Sequence, residues 1–514
     1  MTRDYKILLL ALSAVLALCL MVKIDLFTAD LGRHIKNGEI ILKGSAEVRK
    51  AVLTTNYYSY TEPSTPFINH HWLSGVVFFI VHKITGFSGL SIFYIACMLV
   101  AFLIIFDLAR RKANLLVVAV ISTFAVPVIA SRAEVRPEVF TYLLSALFVW
   151  ICFKYFENEI DKKWLWLLPV LQAIWVNLHI GFILGPFIVG AFFIGSIIKK
   201  DFVKARQCIS VLLLTGLATL ANPSFIYGAL YPFKIFGIYT YRVLENQSII
   251  FLNNLGVGNP LTFLSYEILF VLVLASYVLA LLTNWRRVSI PLLIITSAFA
   301  YMGFTAIRDF PLFGLVGVIA FAMNAVIISE GDKYKFIKNE KLFLPVSMVL
   351  FLAGLVFIGG LFATRSTNFG ISTVDGVKSS AEFFISNNIK GPIFNNYDVG
   401  GYLIYNLYPN NEVYFDNRPE AYSKKFVDEE YIKPMENPNL FKEISDKYGF
   451  NAIFFYYRDY TPWGQAFITQ KVFDPEWAPV YADSSVIIML KRNTGNSSII
   501  KKYEISSDSF KISK

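Results

Sequence analysis

Two pieces of sequence, DLFTADLGRHIKNGEIILKG (residues 25–44) and TTNYYSYTEPSTPFINHHWLSG (residues 54–75), organise the rest of this chain. They belong to one polar stretch, residues 25–75, which lies between a first apolar segment and the next one. Four of the five histidines of the chain lie between positions 34 and 82. If Asp30 opens a helix, His34 lies one turn later on the same face. The spacing therefore predicts a helix on a membrane surface that presents an acid and an imidazole together.

The composition predicts a polytopic membrane protein. Of the 514 residues, 55% are hydrophobic and 16% are charged, against about 25% charged residues in soluble proteins. The formal net charge of +10 does not indicate nucleic-acid binding, because Lys and Arg cluster in short loops between apolar runs, as the positive-inside rule requires. The four cysteines lie in or beside apolar segments without metal-ligand spacing, so neither a disulfide framework nor a zinc site is expected.

Apolar segments that approach the length of a spanning helix recur along most of the chain. They predict a mainly α, polytopic helical membrane protein of about 11–13 spans, since a span needs roughly 20 apolar residues. The shorter apolar stretch 72–84 is either a short helix or a re-entrant one. The candidate spans are 7–24, 88–108, 114–130, 138–154, 164–178, 180–198, 208–221, 263–283, 289–307, 310–329 and 343–363.

The basic loops predict the orientation and the domains. Five basic loops, the last at 333–341, all lie on the cytoplasmic side if the N-terminus is cytoplasmic. In this topology, the chain from residue 365 onward lies on the extracytoplasmic side. Residues 1–364 are then a transmembrane domain with a large first outer loop at 25–72. Alternating strands and helices predict an extracytoplasmic α/β domain at 365–492, and residues 493–514 form a polar tail.

The same topology collects unusual polar residues on the outer side. A charged side chain deep in a span costs roughly 2.5–3.5 kcal/mol, so such residues are retained for pairing or for function. We expect them to converge on one extracytoplasmic cavity; the alternative is a set of solvated loop charges. The residues are Asp30, His34, His71, Arg132, Glu134, Arg136, Glu138, Asn177, His179, Asn222, Glu245, Asn246, Arg308 and Asp309.

Residue chemistry suggests roles but leaves alternatives open. Asp30 suits a general base that takes a proton from a hydroxyl group, a ligand of a divalent cation, or a helix N-cap. Arg132 and Arg136 present planar forks that bind phosphate oxygens, or they pair with Glu134 and Glu138 at a span end.

Three further candidates carry the same ambiguity. His179, at the end of an apolar helix, is either a ligand-binding residue or a satisfied core histidine. Asp416 and Arg418 follow a predicted strand, EVYFDNR, at the position where α/β domains place ligand-binding residues. An Asp–Arg pair that braces a loop explains these two equally well.

Seven motifs in this order resemble a known family: DLGRHIKNGEIIL (30–42), HHWLS (70–74), RPEVFTYLL (136–144), WVNLHIGFILG (175–185), NPSFIYGALYPF (222–233), GGYLIY (400–405) and EVYFDNRPEAY (412–422). The chain is similar to bacterial multi-span proteins classed with the GT-C glycosyltransferases, whose relatives include the protein O-mannosyltransferases and the lipid A aminoarabinose transferase. The resemblance covers most of the membrane part and, by two motifs, the C-terminal region.

The resemblance implies an integral-membrane enzyme, in a bacterial plasma membrane, that works on the outer side. Such an enzyme takes a sugar from a polyprenyl-phosphate carrier and passes it to an acceptor, usually with inversion. The family's acid in the first outer loop corresponds to Asp30. Its HEW-type motif corresponds to His70, His71 and Trp72, with His71 where relatives commonly have an acid. No cofactor follows with certainty, and Mg²⁺ or Mn²⁺, with Asp30 as a ligand, stays open.

The resulting hypothesis assigns catalysis to Asp30 and His34, with Asp30 as base. Two other classes remain as alternatives: a lipid or sugar transporter, and a non-catalytic scaffold for polysaccharide assembly. The expected partners are the lipid-linked donor, an extracytoplasmic acceptor and the bilayer. Substrate and phosphate binding is assigned to His70, His71, Trp72, Arg132, Arg136, His179, Glu245 and Arg308, with Asp416 and Arg418 as C-terminal candidates.

Overall fold

A computed structural model of the chain describes residues 3–241, 243–331 and 340–510. Among these residues, six helices are long and apolar enough to cross a membrane, and three more apolar helices are shorter: Lys6–Leu20, Leu115–Ile129 and Ile290–Thr305. This confirms the predicted fold class, a helical membrane protein with a small sheet near its C-terminus. The six long helices are Trp72–Lys112, Glu138–Phe156, Ile180–Ile198, Pro260–Arg287, Ile307–Glu330 and Pro345–Asn368.

Six long helices are fewer than the predicted spans because several apolar segments fold into shorter pieces. The segment predicted at 164–178 forms a helix only over Leu167–Leu178, which ends where His179 takes an extended conformation with φ −158°. The segment predicted at 72–84 is the first part of Trp72–Lys112, and Gly86, at φ +68°, breaks that helix. The fifth predicted basic loop begins in the gap at 332–339, outside the described residues.

Contacts divide the chain into two compact units, each built from separate segments. The first contains Met1–Lys23, Gly89–Pro232 and Arg242–Ile371, and the second contains Ile24–Ser88, Phe233–Tyr241 and Ser372–Lys514. The polar stretch thus folds with the C-terminal region in one unit. No single cut in the sequence separates these two units. The predicted domain boundary between residues 364 and 365 stays a prediction.

The first unit is helical. Asn114, Asp201 and Asn259 each cap a helix, because their side chains accept a hydrogen bond from a backbone N–H of the first turn. Its helices are Arg3–Leu20, the second part of Trp72–Lys112, Leu115–Ile129, Glu138–Phe156, Leu167–Leu178, Leu184–Ile198, Phe202–Ala218, Phe225–Ala229, Ile249–Asn254, Pro260–Asn284, Ile290–Thr305, Phe310–Glu330 and Glu340–Arg365.

Arg365 ties helix ends together in this unit. Its guanidinium donates to the carbonyl oxygens of Cys19 at 2.9 Å, Ala130 at 2.7 Å and Ser131 at 3.2 Å. These carbonyls lie at the C-terminal ends of Arg3–Leu20 and Leu115–Ile129. A cation is favourable there because the last carbonyls of a helix carry negative partial charge.

The second unit contains a four-stranded sheet in the order β1-β2-β4-β3. β1 (Ile393–Asn395) is parallel to β2 (Ala452–Tyr456), and β4 (Val486–Lys491) is antiparallel to β2 and to β3 (Trp477–Ala482). Its helices are Leu31–Lys43, Ala46–Thr54, the start of Trp72–Lys112, Ile235–Ile238, Ser379–Ser386, Gly400–Leu407, the π-helix Phe426–Ile432, Lys433–Glu436, Pro438–Tyr448, Pro462–Lys471 and Ser497–Tyr503.

The strand predicted at EVYFDNR is wrong, and side-chain hydrogen bonds explain why. The Asn395 side chain accepts from the Tyr414 N–H at 2.9 Å and donates to the Phe415 carbonyl at 2.7 Å. These bonds satisfy backbone groups that a strand would pair in a ladder. The segment makes only an isolated bridge, between Val413 and Ser59.

The helix Leu31–Lys43, called the loop helix below, is anchored by glycines. A Cβ on Gly32 would lie 2.8 Å from the Gly401 carbonyl oxygen, and one on Gly38 would lie 2.1 Å from that of Gly75. Both distances are too short for any side chain, so the loop helix approaches Gly400–Leu407 and the start of Trp72–Lys112 backbone to backbone. The polar stretch is therefore packed into the second unit.

Candidate active site

The acid predicted as a base lies directly before the loop helix. Asp30 makes no side-chain capping bond to the helix. Its Oδ2 atom lies 3.2 Å from His34 Nε2 and 3.4 Å from Arg33 Nη2. The Asp30 side chain is 19% exposed, whereas those of Arg33 and His34 are 5% and 0% exposed. An acidic side chain that is partly exposed is thus held by two buried partners.

The loop helix, which the spacing predicted to lie on a membrane surface, buries polar as well as apolar residues. Arg33, His34 and Asn37 are buried together with Leu31 and Ile35. Asn37 Oδ1 accepts a 2.6 Å hydrogen bond from the buried Tyr58 hydroxyl. This bond fixes the helix on its polar side, so the groups around Asp30 are preorganised.

The predicted histidine motif lies beside the loop helix. The His34 and His71 rings meet edge to face with their centroids 5.4 Å apart, and the His70 ring lies 3.9 Å from that of His71. Trp72 begins the helix Trp72–Lys112. The structure therefore brings Asp30, His34, His70 and His71 into one part of the second unit.

A divalent cation does not fit the described surroundings of Asp30. Mg²⁺ and Mn²⁺ favour oxygen ligands, but the Asp30 carboxylate contacts a guanidinium and an imidazole. Within residues 3–241, 243–331 and 340–510, no group of three His, Cys, Asp or Glu side chains could hold an ion. We therefore derive no metal-dependent step.

The predicted phosphate-binding arginines lie in the first unit, in a network of ion pairs. Arg132 Nη2 lies 3.0 Å from Glu138 Oε2 and 2.9 Å from Glu245 Oε2. Arg136 contacts Glu245 at 3.0 Å and Glu134 at 2.8 Å. Burial by itself lowers the pKa of Arg132, but Glu138 and Glu245 outweigh burial and the net pKa is raised, so this guanidinium is always charged.

Arg308 joins the same network. Its Nε atom lies 3.6 Å from Glu138 Oε1, and its Nη1 donates to Asn246 Oδ1 at 2.7 Å. Arg132, Arg136, Glu245 and Arg308 are thus brought together, with acids on every arginine. The sequence left phosphate binding and mutual pairing open for these arginines, and the structure shows the pairing.

His179 lies in the first unit and caps a turn. Its Nδ1 atom accepts from the Gly181 N–H at 3.1 Å and lies 2.7 Å from Thr141 Oγ1. Trp175 Nε1 donates to the same Thr141 oxygen at 3.1 Å. These contacts are those of a satisfied core histidine, and a role of His179 in substrate binding stays a prediction.

Asp416 and Arg418 form a sealed ion pair in the second unit. Arg418 Nε and Nη2 donate to the two Asp416 carboxylate oxygens at 2.7 Å and 2.6 Å, and Nη2 also donates to Asn56 Oδ1 at 2.6 Å. Burial acts to raise the pKa of Asp416, but Arg418 reverses this and the net pKa is lowered. The pair braces the polar stretch against the DNR segment, and ligand binding by it stays a prediction.

Sequence reasoning missed Asp398, which follows the end of β1. Burial, and then the nearby Asp459 and Asp25, raise the pKa of this carboxyl to about 7. Its position two residues before the Gly400-Gly401 pair was the available signal. The raised pKa comes first from burial and then from two acids that are distant in sequence, and no local pattern reveals either cause.

The overall fold is similar to the folds of solved membrane oligosaccharyltransferase and ArnT structures, which confirms the fold that the motif resemblance implied. The chain is an integral membrane protein. Among solved structures, it is similar to the archaeal oligosaccharyltransferase AglB from Archaeoglobus fulgidus in complex with an inhibitory peptide and a dolichol-phosphate. The TM-score is 0.62 at 10% identity, over 94% of this chain and 74% of that chain.

Two further solved structures show the same fold. ArnT from Cupriavidus metallidurans bound to undecaprenyl phosphate matches with a TM-score of 0.53 at 11% identity, over 95% of this chain and 98% of that chain. The Archaeoglobus fulgidus oligosaccharyltransferase in complex with Zn and sulfate matches with a TM-score of 0.60 at 10% identity, over 94% and 73%. No protein-family model and no curated protein sequence matches the chain.

Proposed function

We propose that this chain is a membrane glycosyltransferase that moves a sugar from a polyprenyl-phosphate carrier to a hydroxyl group of an extracytoplasmic glycan, lipid or protein. The observation that carries the proposal is Asp30, whose side chain is partly exposed and whose carboxylate is held by the buried Arg33 and His34. The GT-C fold and its lipid-phosphate-bound relatives support the class of reaction. The enzyme lies in the bacterial plasma membrane with its N-terminus in the cytoplasm and residues 365–492 outside.

Asp30 accepts the proton of the acceptor hydroxyl as the oxygen attacks the anomeric carbon. One carbon–oxygen bond forms on the acceptor while the bond from the sugar to the carrier phosphate breaks. The electron pair of the broken bond stays on the phosphate oxygen, and a single displacement of this kind inverts the anomeric centre.

His34 and Arg33 position the base. Their contacts with Asp30 hold the Oδ2 atom and fix the orientation of the carboxylate for proton transfer. His70, His71 and Trp72 are assigned to acceptor or sugar binding, because the imidazole rings pack beside His34. His179 is a weaker candidate, since its Nδ1 atom is engaged within its own unit.

The carrier phosphate is assigned to Arg132, Arg136 and Arg308. Guanidinium groups match phosphate oxygens with paired donors, and they stabilise the charge that grows on the leaving group. These arginines already form a connected cluster in the first unit. The assignment requires that a phosphate compete with the glutamates now bound there.

Transfer of radiolabelled sugar from a short-chain polyprenyl-phosphate donor tests the proposal. Purified full-length protein should label an acceptor, and Asp30→Asn should abolish labelling while its melting temperature is unchanged. Glu39→Gln is the matched control on the loop helix, because Glu39 pairs with Lys36 and Lys43 away from Asp30.

Each result decides between functions. No labelling by the wild-type protein with any lipid-phosphate sugar, combined with binding of glycan chains, would replace the enzyme with a scaffold. Movement of the lipid-linked sugar across vesicles without bond cleavage would indicate a transporter. Full activity of Asp30→Asn would refute the base while leaving the reaction class in place.

A further inference from the structure

Two arginines of the first unit converge on one carboxylate. Glu245 Oε2 lies 2.9 Å from Arg132 Nη2, and Arg136 Nη1 lies within 3.0 Å of Oε2 and 3.1 Å of Oε1. The side chains are only 11% to 16% exposed, so solvent screens these contacts weakly. A single anion with two acceptor oxygens is thus held between two guanidinium groups.

Each of these arginines also keeps a second carboxylate of its own. Arg132 is bound to Glu138 and Arg136 is bound to Glu134, both on neighbouring parts of the chain. If Glu245 leaves, Arg132 keeps Glu138 and Arg136 keeps Glu134. The place vacated is that of one anion shared by Arg132 and Arg136.

The segment that carries Glu245 reaches the third arginine as well. Glu245 belongs to the short turn Leu244–Asn246, and the next residue, Asn246, accepts from Arg308 Nη1 at 2.7 Å. Two consecutive side chains therefore engage all three arginines that the proposed function assigns to the carrier phosphate. Of the two, Glu245 alone carries charge.

Carboxylate and phosphate present the same recognition chemistry to guanidinium, a pair of oxygens and negative charge. We propose that Glu245 is an exchangeable internal anion that occupies the place of the carrier's phosphate group and must yield it for the lipid donor to bind. The inference rests on the proposed function, since it concerns the same arginines. In this inference Glu245 competes with the phosphate, whereas the sequence predicted that Glu245 itself contributes to substrate and phosphate binding.

The exchange keeps charge balanced at the arginines. In the resting state Glu245 lowers the cost of keeping two guanidinium groups close together. In the donor-bound state the phosphate takes over this role, and the turn Leu244–Asn246 is released from Arg132 and Arg136. After transfer, Glu245 competes with the lipid phosphate for Arg132 and Arg136, and this competition favours release of the product.

Binding of a short-chain polyprenyl phosphate to the purified full-length protein in detergent tests the inference. Glu245→Gln keeps the shape of the side chain and removes its charge, so it should tighten binding about tenfold, equivalent to about 1.4 kcal/mol. Glu134→Gln is the matched control, because Glu134 lies on the other edge of Arg136 and is 53% exposed. It should change the affinity less than about threefold.

Arg136→Gln separates the inference from the proposed function. If Arg136→Gln weakens binding and Glu245→Gln tightens it, both stand. If Arg136→Gln weakens binding while Glu245→Gln leaves it unchanged or weaker, Glu245 is a structural partner and the inference alone is overturned. If Arg136→Gln has no effect, the phosphate assignment fails and the inference fails with it.

A second comparison covers the case in which Glu245→Gln does not fold. The double variant Glu245→Gln with Arg136→Gln removes one charge of each sign. It should bind the probe several-fold more tightly than Arg136→Gln alone, because Arg132 is still relieved of its competitor. Equal or weaker binding by the double variant would overturn the inference.

Discussion

The second unit contains two Asp–Arg pairs of nearly the same local sequence spacing and opposite character. Asp30 and Arg33 are three residues apart and their closest atoms lie 3.4 Å apart, whereas Asp416 and Arg418 are two residues apart and meet at 2.6 Å. The Asp30 side chain is 19% exposed and that of Asp416 is 0% exposed. Both arginines are buried. The difference lies in the carboxylates.

Partners explain the difference. The Asp416 carboxylate accepts hydrogen bonds from Nε and Nη2 of Arg418 and from the Tyr422 hydroxyl at 2.9 Å. Both of its oxygens are therefore bound by residues of the same unit. Asp30 contacts Arg33 and His34 through Oδ2. A carboxylate that must accept a substrate proton needs access to substrate, and one that braces a loop needs none. In the proposed function, the same residue types therefore serve chemistry in one place and stability in the other.

The largest expected effect is on sugar transfer, and it distinguishes Asp30 from Asp416. Asp30→Asn should lower sugar transfer by about 10²- to 10⁴-fold, the usual contribution of a positioned general base, while the protein keeps its melting temperature. The assay is initial-rate transfer from a polyprenyl-phosphate sugar, alongside thermal unfolding in detergent. A loss of activity that tracks a lower melting temperature would make Asp30 a second structural acid and end the contrast.

Next in size is the effect of breaking the sealed pair. Arg418→Met leaves Asp416 buried without its cation and should lower the free energy of unfolding by about 3–5 kcal/mol. Thermal or denaturant unfolding of the full chain measures it. A stability change below about 1 kcal/mol would show that water reaches Asp416 and that the pair is not sealed.

The pH dependence of stability tests a third acid of the second unit, Asp398. Its pKa is raised from 3.8 to about 7, first by burial and then by Asp459 and Asp25. Between these values the folded protein keeps a proton that the unfolded chain loses, so stability falls as pH rises from about 4 to 7, by at most about 1.4 kcal/mol per pH unit. Asp398→Asn should remove this part of the fall. If the melting temperatures of the wild-type protein and of Asp398→Asn change in parallel from pH 5 to pH 8, the assignment is contradicted.

The smallest expected effect comes from an exposed pair of the same unit. Lys447 Nζ lies 2.7 Å from Glu430 Oε2, as close as the sealed pair, but the Lys447 side chain is 51% exposed. Lys447→Met should change the free energy of unfolding by less than about 1 kcal/mol, because solvent screens the attraction. A cost equal to that of Arg418→Met would show that distance, and not burial, decides what such a pair contributes.

Local patterns predicted much of the candidate site. Helical spacing placed His34 one turn after Asp30, and the two side chains do meet. The HHW motif was expected near the site, and the His71 ring does lie beside that of His34. Patterns could not show that Glu245 bridges Arg132 and Arg136, because the contact joins residues more than one hundred positions apart.

The sequence by itself determined the class of molecule: long apolar runs require a bilayer, and their interruption by polar motifs resembles the GT-C pattern. It also determined the helical neighbours of Asp30, since i and i+4 side chains meet in any helix. Only the tertiary structure decided that residues 24–88 fold with residues 372–514, and that the Asp416 side chain is fully buried while that of Asp30 is 19% exposed. Burial and ion pairing depend on what distant segments bring to a side chain, and no local period encodes those distances.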